Sequence, residues 1–162
     1  MAENSPTRHP VVRIEARIQV GPNIMSGTDD PLFLGLRGTA GREFRLKLAG
    51  DGSLRRGQES RVVFGAPEDP ATNAELPELN DPTRPTLDAD GISGVYLRKG
   101  LEPIPNVRGL GEMDDRLEVE AVDVEISVAD EPRPRRFARR GPIWLGLVCG
   151  LLLEIPSVDE AI

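Results

Sequence analysis

The chain is poor in the residues that most enzymatic chemistry requires. In 162 residues histidine occurs once, at His9, cysteine once, at Cys149, and lysine only at Lys47 and Lys99. One imidazole cannot assemble a Ser-His-Asp or Cys-His set, and the usual His and Cys ligands of a zinc site are wanting too. A single cysteine excludes an internal disulfide framework. Its place in an apolar run predicts a buried, inert thiol. Aromatics number six (Phe33, Phe44, Phe64, Tyr96, Phe137, Trp144), too few to spare for sugar-stacking platforms. The longest apolar run, Ile143 to Leu153, falls short of the ~20 residues of a membrane-spanning helix. Residues Met1 to Pro10 are polar and lack the apolar core of a signal peptide, so a cytoplasmic location is the expectation. A net charge of -7 argues against nucleic acid, which is held by concentrated Lys and Arg.

What is abundant is turn chemistry. Gly 17 and Pro 15 favour many turns over long helices. Between the turns lie alternating segments: Ile14 to Val20, Leu32 to Leu36, Phe44 to Leu48, Ser60 to Phe64, and Ile92 to Gly100. The clearest is Leu117 to Val128, whose apolar side switches from odd to even positions near Ala121-Val122, the signature of a β-bulge. The run Ile143 to Ile155 is apolar throughout and predicts a strand or strand pair buried on both faces, or covered by a partner. Two segments differ in character. Ala66 to Asp90 holds five prolines and seven acids against one base, Arg84, and predicts a long mobile loop. Arg133, Arg135, Arg136, Arg139 and Arg140 predict a basic loop, able to meet anionic lipid or an acidic partner, or to clamp that acidic loop. The fold class is all-β, an antiparallel β-sandwich of seven to eight strands over 11–156, with a flexible leader 1–10 and a short tail 157–162.

In order and spacing these pieces resemble the PLAT (lipoxygenase-homology) domain, a C2-like β-sandwich, and especially the C-terminal domain of clostridial phospholipase C toxins. The resemblance rests on Ser26-Gly27-Thr28-Asp29-Asp30 before Leu32-Phe33-Leu34-Gly35-Leu36, on Leu54-Arg55-Arg56-Gly57 after a glycine turn, on Ile92 to Lys99, and on Leu117 to Ile126 followed by Trp144-Leu145. It implies a module for calcium-assisted docking to a membrane or protein, beside a catalytic domain rather than within one. Gly27, Thr28, Asp29 and Asp30 match the calcium motif, with Asp51 and Asp90 as assisting ligands. Met25 and Gly52-Ser53 stand where the family often has acids or Asn-Asp, which predicts weak calcium at best. Without metal, Thr28 and Asp29 would simply cap a turn.

The leading expectation is therefore a non-enzymatic docking module for a protein partner or an anionic membrane surface. Ile24 and Met25 would form an apolar tip and Arg133, Arg135 and Arg136 a second contact; otherwise Ile24 plugs the end of the core. The alternative is a structural subunit of a multi-protein assembly, homo-oligomeric or larger, with Ile143 to Ile155 covered by neighbours. An enzyme is a distant third.

Overall fold

A computed structural model describes residues 9–39, 41–46, 54–69, 80–101 and 116–159. Eight strands form: β1 Val11–Val20, β2 Leu32–Gly38, β3 Arg42–Leu46, β4 Glu59–Phe64, β5 Ile92–Lys99, β6 Leu117–Val128, β7 Arg135–Leu145 and β8 Leu152–Ile155. They build two antiparallel four-stranded sheets, ordered β4-β1-β6-β7 and β3-β2-β5-β8. The only helical piece among the described residues is one 3-10 turn, Ala89–Gly91.

The alternation that marks each strand in the sequence is what buries it. In β6 Val122, Val124, Ile126 and Val128 face inward, while Asp123, Glu125 and Ser127 stay partly solvated. Upstream of them Leu117 and Val119 point inward on the odd phase. The expected bulge reconciles the two phases: the β6–β7 register shifts between Val119 and Ala121, so the extra residue turns the strand over. Inward residues from both sheets merge into one apolar core. Phe44 of β3 and Phe64 of β4 meet across it, ring centroids 5.0 Å apart and tilted by 45°, a favourable aromatic geometry.

The topology gives the molecule two distinct ends. Strands β1, β3, β5 and β7 finish, and β2, β4, β6 and β8 begin, at the near end; the opposite ends of the same strands lie at the far end, where β1 begins. At ~3.3 Å per residue the ten residues of β1 separate the ends by about 30 Å.

Five expectations need correction. The run Ile143 to Ile155 is a pair of strands, as one alternative had it, but not one buried on both faces: it is the end of β7, a turn bridged by Gly146 and Gly150, and β8 in the opposite sheet. Cys149 lies in that turn and is exposed, because the polypeptide must leave the core to change sheets. The arginines from Arg135 to Arg140 lie on β7, not in a loop. In the acidic segment, residues 70–79 fall outside the described residues, but from Asn80 onward it is packed down. Asn80 is buried and accepts from the Arg45 N–H, Leu87 and Ala89 enter the core, and Arg42 donates to the Asp81 carbonyl at 2.7 Å. His9 and Pro10 of the expected leader are likewise tied down, through the bonds Ala89 N–H to His9 carbonyl and Ala129 N–H to Pro10 carbonyl.

Candidate functional site at the near end

The β1–β2 connection is a short loop held by a dense set of bonds. Ser26 is fully buried and its hydroxyl donates to the Gly21 carbonyl at 2.6 Å. The Asn23 side-chain amide donates to the buried Glu118 carboxylate at 2.7 and 2.8 Å, and Glu118 N–H donates to the Ser26 carbonyl. Thr28 and Leu54 exchange two backbone hydrogen bonds at 2.9 Å, which fasten the β3–β4 connection alongside. Gly27 makes that approach possible, since a Cβ there would stand 2.2 Å from the Leu54 carbonyl oxygen.

With the base of the loop fixed, its tip points outward. Ile24 is 77% exposed and Met25 68%, so Ile24 does not plug the core. Met25 adopts φ +64, a left-handed conformation that costs a non-glycine residue about 1–2 kcal/mol. The β7–β8 turn, at the same end but one strand removed in each sheet, presents a second apolar tip, with Val148 90% exposed and Leu147 54%. Leu101 is also exposed, just past β5. Arg55 and Arg56 lie exposed in the turn after Leu54, and exposed Arg116 stacks over half-buried Trp144, its guanidinium carbon 5.3 Å from the ring centroid.

The proposed calcium ligands are only partly gathered here. Gly27, Thr28, Asp29 and Asp30 lie at the near end, and Asp29 is exposed. Thr28 Oγ1 accepts the Asp30 N–H at 3.1 Å, which is the turn-capping role considered for it. The Asp30 carboxylate is ion-paired with Lys99, a lysine with no exposed surface. Asp51 falls outside the described residues. Asp90 does not assist: it precedes β5, at the far end, and pairs with Arg135 at 2.8 Å. Among the described residues no three His, Cys, Asp or Glu side chains come together as a metal site. The described residues do not fit a calcium ion, since the Asp30 carboxylate already holds an internal cation.

The arginines do not join the apolar tip either. Arg133 and Arg135 belong to the far end; Arg135 is occupied by Glu131 at 2.6 Å, Asp90, and the Ala89 carbonyl at 3.0 Å. Of the basic cluster on β7 and its approach, Arg135 thus clamps the acidic segment. Arg136 points outward from β7, 3.4 Å from Glu125. Sequence reasoning therefore misplaced the second contact and overlooked Leu147, Val148 and Lys99. The signal for the turn was present, as Gly146 and Gly150 bracket three residues, but it was hidden in an apolar run.

The fold is that of the PLAT, or C2-like, class of β-sandwich. Among solved structures the chain is similar to the alpha-toxin of Clostridium absonum, with TM-score 0.59, 14% identity, and 94% of this chain and 33% of that one covered. An alpha-toxin of Clostridium perfringens from an avian strain gives TM-score 0.55, 18% identity, and 95% and 34% coverage. Coral 8R-lipoxygenase, a protein with calcium activation via a C2-like domain, gives TM-score 0.54, 11% identity, and 90% and 17% coverage. The chain thus spans about a third of the toxin chains and a smaller part of the lipoxygenase. No family model matches the sequence, and a search of curated proteins returns no match. No helix among the described residues is long and apolar enough to cross a membrane.

Proposed function

We propose that this chain is a non-enzymatic docking module whose near end seats on an anionic membrane surface. The carrying observation is where apolar side chains are exposed. Of eight large hydrophobic residues exposed among the described ones, five (Ile24, Met25, Leu101, Leu147, Val148) belong to near-end connections. Transferring an Ile, Leu, Val or Met side chain out of water is worth about 1.5–3 kcal/mol when complete. Two apolar tips at the same end therefore supply several kcal/mol, and cations beside an anionic surface add ~1 kcal/mol each. Arg55, Arg56 and Arg116 take the supporting role first assigned to Arg133, Arg135 and Arg136, because they stand at the same end as the tips. The hydrogen bonds beneath Ile24 and Met25 favour docking by ordering the tip beforehand.

The non-enzymatic reading is supported by the single histidine and by a match to only a third of each toxin chain. The structural-subunit reading called for Ile143 to Ile155 to be covered by neighbours as a strand, and the segment is instead a split pair of strands with a solvent-facing turn. Sedimentation with vesicles of phosphatidylcholine alone, and with added phosphatidylserine, tests the proposal. Binding should need the anionic lipid, and Ile24→Ser with Met25→Ser should abolish it while Tm stays within ~2 °C. A large fall in Tm would mark the pair as core. Failure of the unaltered chain to sediment with either vesicle would reject the membrane as target and leave a protein surface.

A further inference from the structure

Lys99 is the most deeply enclosed charge in the described chain. It ends β5, opposite Leu32, with no exposed surface, and its ammonium pairs with Asp30, two residues before β2. Its Nζ also donates to the Gly100 carbonyl at 3.4 Å. Its backbone N–H donates to the Leu151 carbonyl at 2.8 Å, and Gly100 N–H donates to the Pro31 carbonyl at 2.7 Å. One residue thus ties together the foot of the Ile24–Met25 loop and the foot of the Leu147–Val148 turn. A buried ammonium is tolerated only when a carboxylate and hydrogen-bond acceptors surround it. Asp30 is correspondingly committed, being 7% exposed.

From this geometry we infer that Lys99 is the built-in cation of the docking end, ordering both apolar loops without a divalent ion, so that docking is independent of calcium. The inference departs from what the PLAT resemblance implies. A carboxylate must offer its oxygens to bind calcium, and Asp30 commits its Oδ2 to Lys99 instead. It rests on the docking proposal for its biological meaning, although its stability test does not.

Thermal melts of the full chain are compared in EDTA and in about 1 mM calcium. The unaltered protein should melt at the same temperature in both. A rise of about 5 °C or more, the shift expected for ligand at a hundredfold of its Kd in a chain of this size, would overturn the inference. Lys99→Met takes the ammonium away from a buried carboxylate and should lower Tm by about 10 °C. Adding Asp30→Asn to it should recover most of that loss, because no buried charge remains. A double variant melting as low as Lys99→Met would contradict the pairing. Vesicle sedimentation of the unaltered chain in EDTA and in calcium should give affinities within about twofold; a tenfold gain in calcium would overturn calcium independence. Absence of sedimentation in both would defeat the docking proposal, and the melts would still decide the role of Lys99.

Discussion

The two ends of the sandwich solve opposite problems. At the far end the chain closes the core. Leu87 and Ala89 are buried, Arg135 binds Glu131, Asp90 and the Ala89 carbonyl, and Thr39 N–H donates to the Gly91 carbonyl at 3.0 Å. Gly38, at φ +136, has to be glycine there, because a Cβ would overlap the Gly91 oxygen. At the near end the polar bonds are as dense, but they lie below the surface and hold apolar side chains out in water. A fold that can seal one end with charge pairs has no physical need to expose Ile24 and Val148 at the other. The contrast implies that the near end is built to meet something else.

Substitutions at each end should therefore separate stability from docking. After the loss of binding expected for the Ile24 and Met25 pair, the largest effect is expected for Leu147→Ser with Val148→Ser, which should weaken sedimentation with anionic vesicles by about tenfold to a hundredfold and leave Tm nearly unchanged. At the far end, Arg135→Ala removes charge-assisted bonds to two carboxylates. It should cost about 2 kcal/mol, or roughly 4–8 °C in Tm, without altering vesicle affinity. Arg133→Ala with Arg136→Ala should change neither by more than a small margin. A strong loss of vesicle binding there would move the docking surface to the far end and break the comparison.

A third region, the outer face of the β4-β1-β6-β7 sheet, gives a pH signature. The Arg61 guanidinium, followed by Arg17, holds the Glu15 carboxyl down at about 2 against an ordinary 4.5, with burial opposing them. A carboxyl depressed on folding stabilises the protein fully above its unfolded value, and that contribution fades as pH falls through the folded value. Tm should fall between pH 5 and pH 2.5 in the unaltered chain. The Tm gap to Glu15→Gln should narrow over the same interval. A constant gap would show that the Arg61 pairing does not carry this dependence. The smallest effect is expected for Met25→Gly, which relieves the left-handed backbone at the tip. It should leave Tm unchanged or slightly raised, and weaken docking by less than the double serine variant.

Strands were legible in the sequence because burial on one face imposes a period of two, and even the phase change in β6 appeared as a switch of parity. The sheet change at Gly146 to Gly150 was not, because Leu147, Val148 and Cys149 continue the hydrophobicity of the strands they join. Composition cannot say which apolar residues face water. Asp90 was misassigned for a related reason. It sits two residues before β5, and the strand carries the chain the full length of the sheet before reaching Lys99. The Lys99–Asp30 pair spans 69 positions, and no local pattern announces it. Ile24 and Met25 were legible as apolar residues in a polar loop. Their outward direction was set by Ser26, Asn23 and Glu118, the last of which is 95 positions from Asn23.

The most direct test uses the single cysteine, which already lies in the exposed near-end turn. A polarity-sensitive fluorophore on Cys149 should shift to the blue, and be shielded from aqueous quenchers, when anionic vesicles are added. The same label on Ala129→Cys in a Cys149→Ser background, at the far end, should show neither change. Blue shift and shielding at position 129 with none at Cys149, in a preparation that sediments with the vesicles, would contradict docking through the near end.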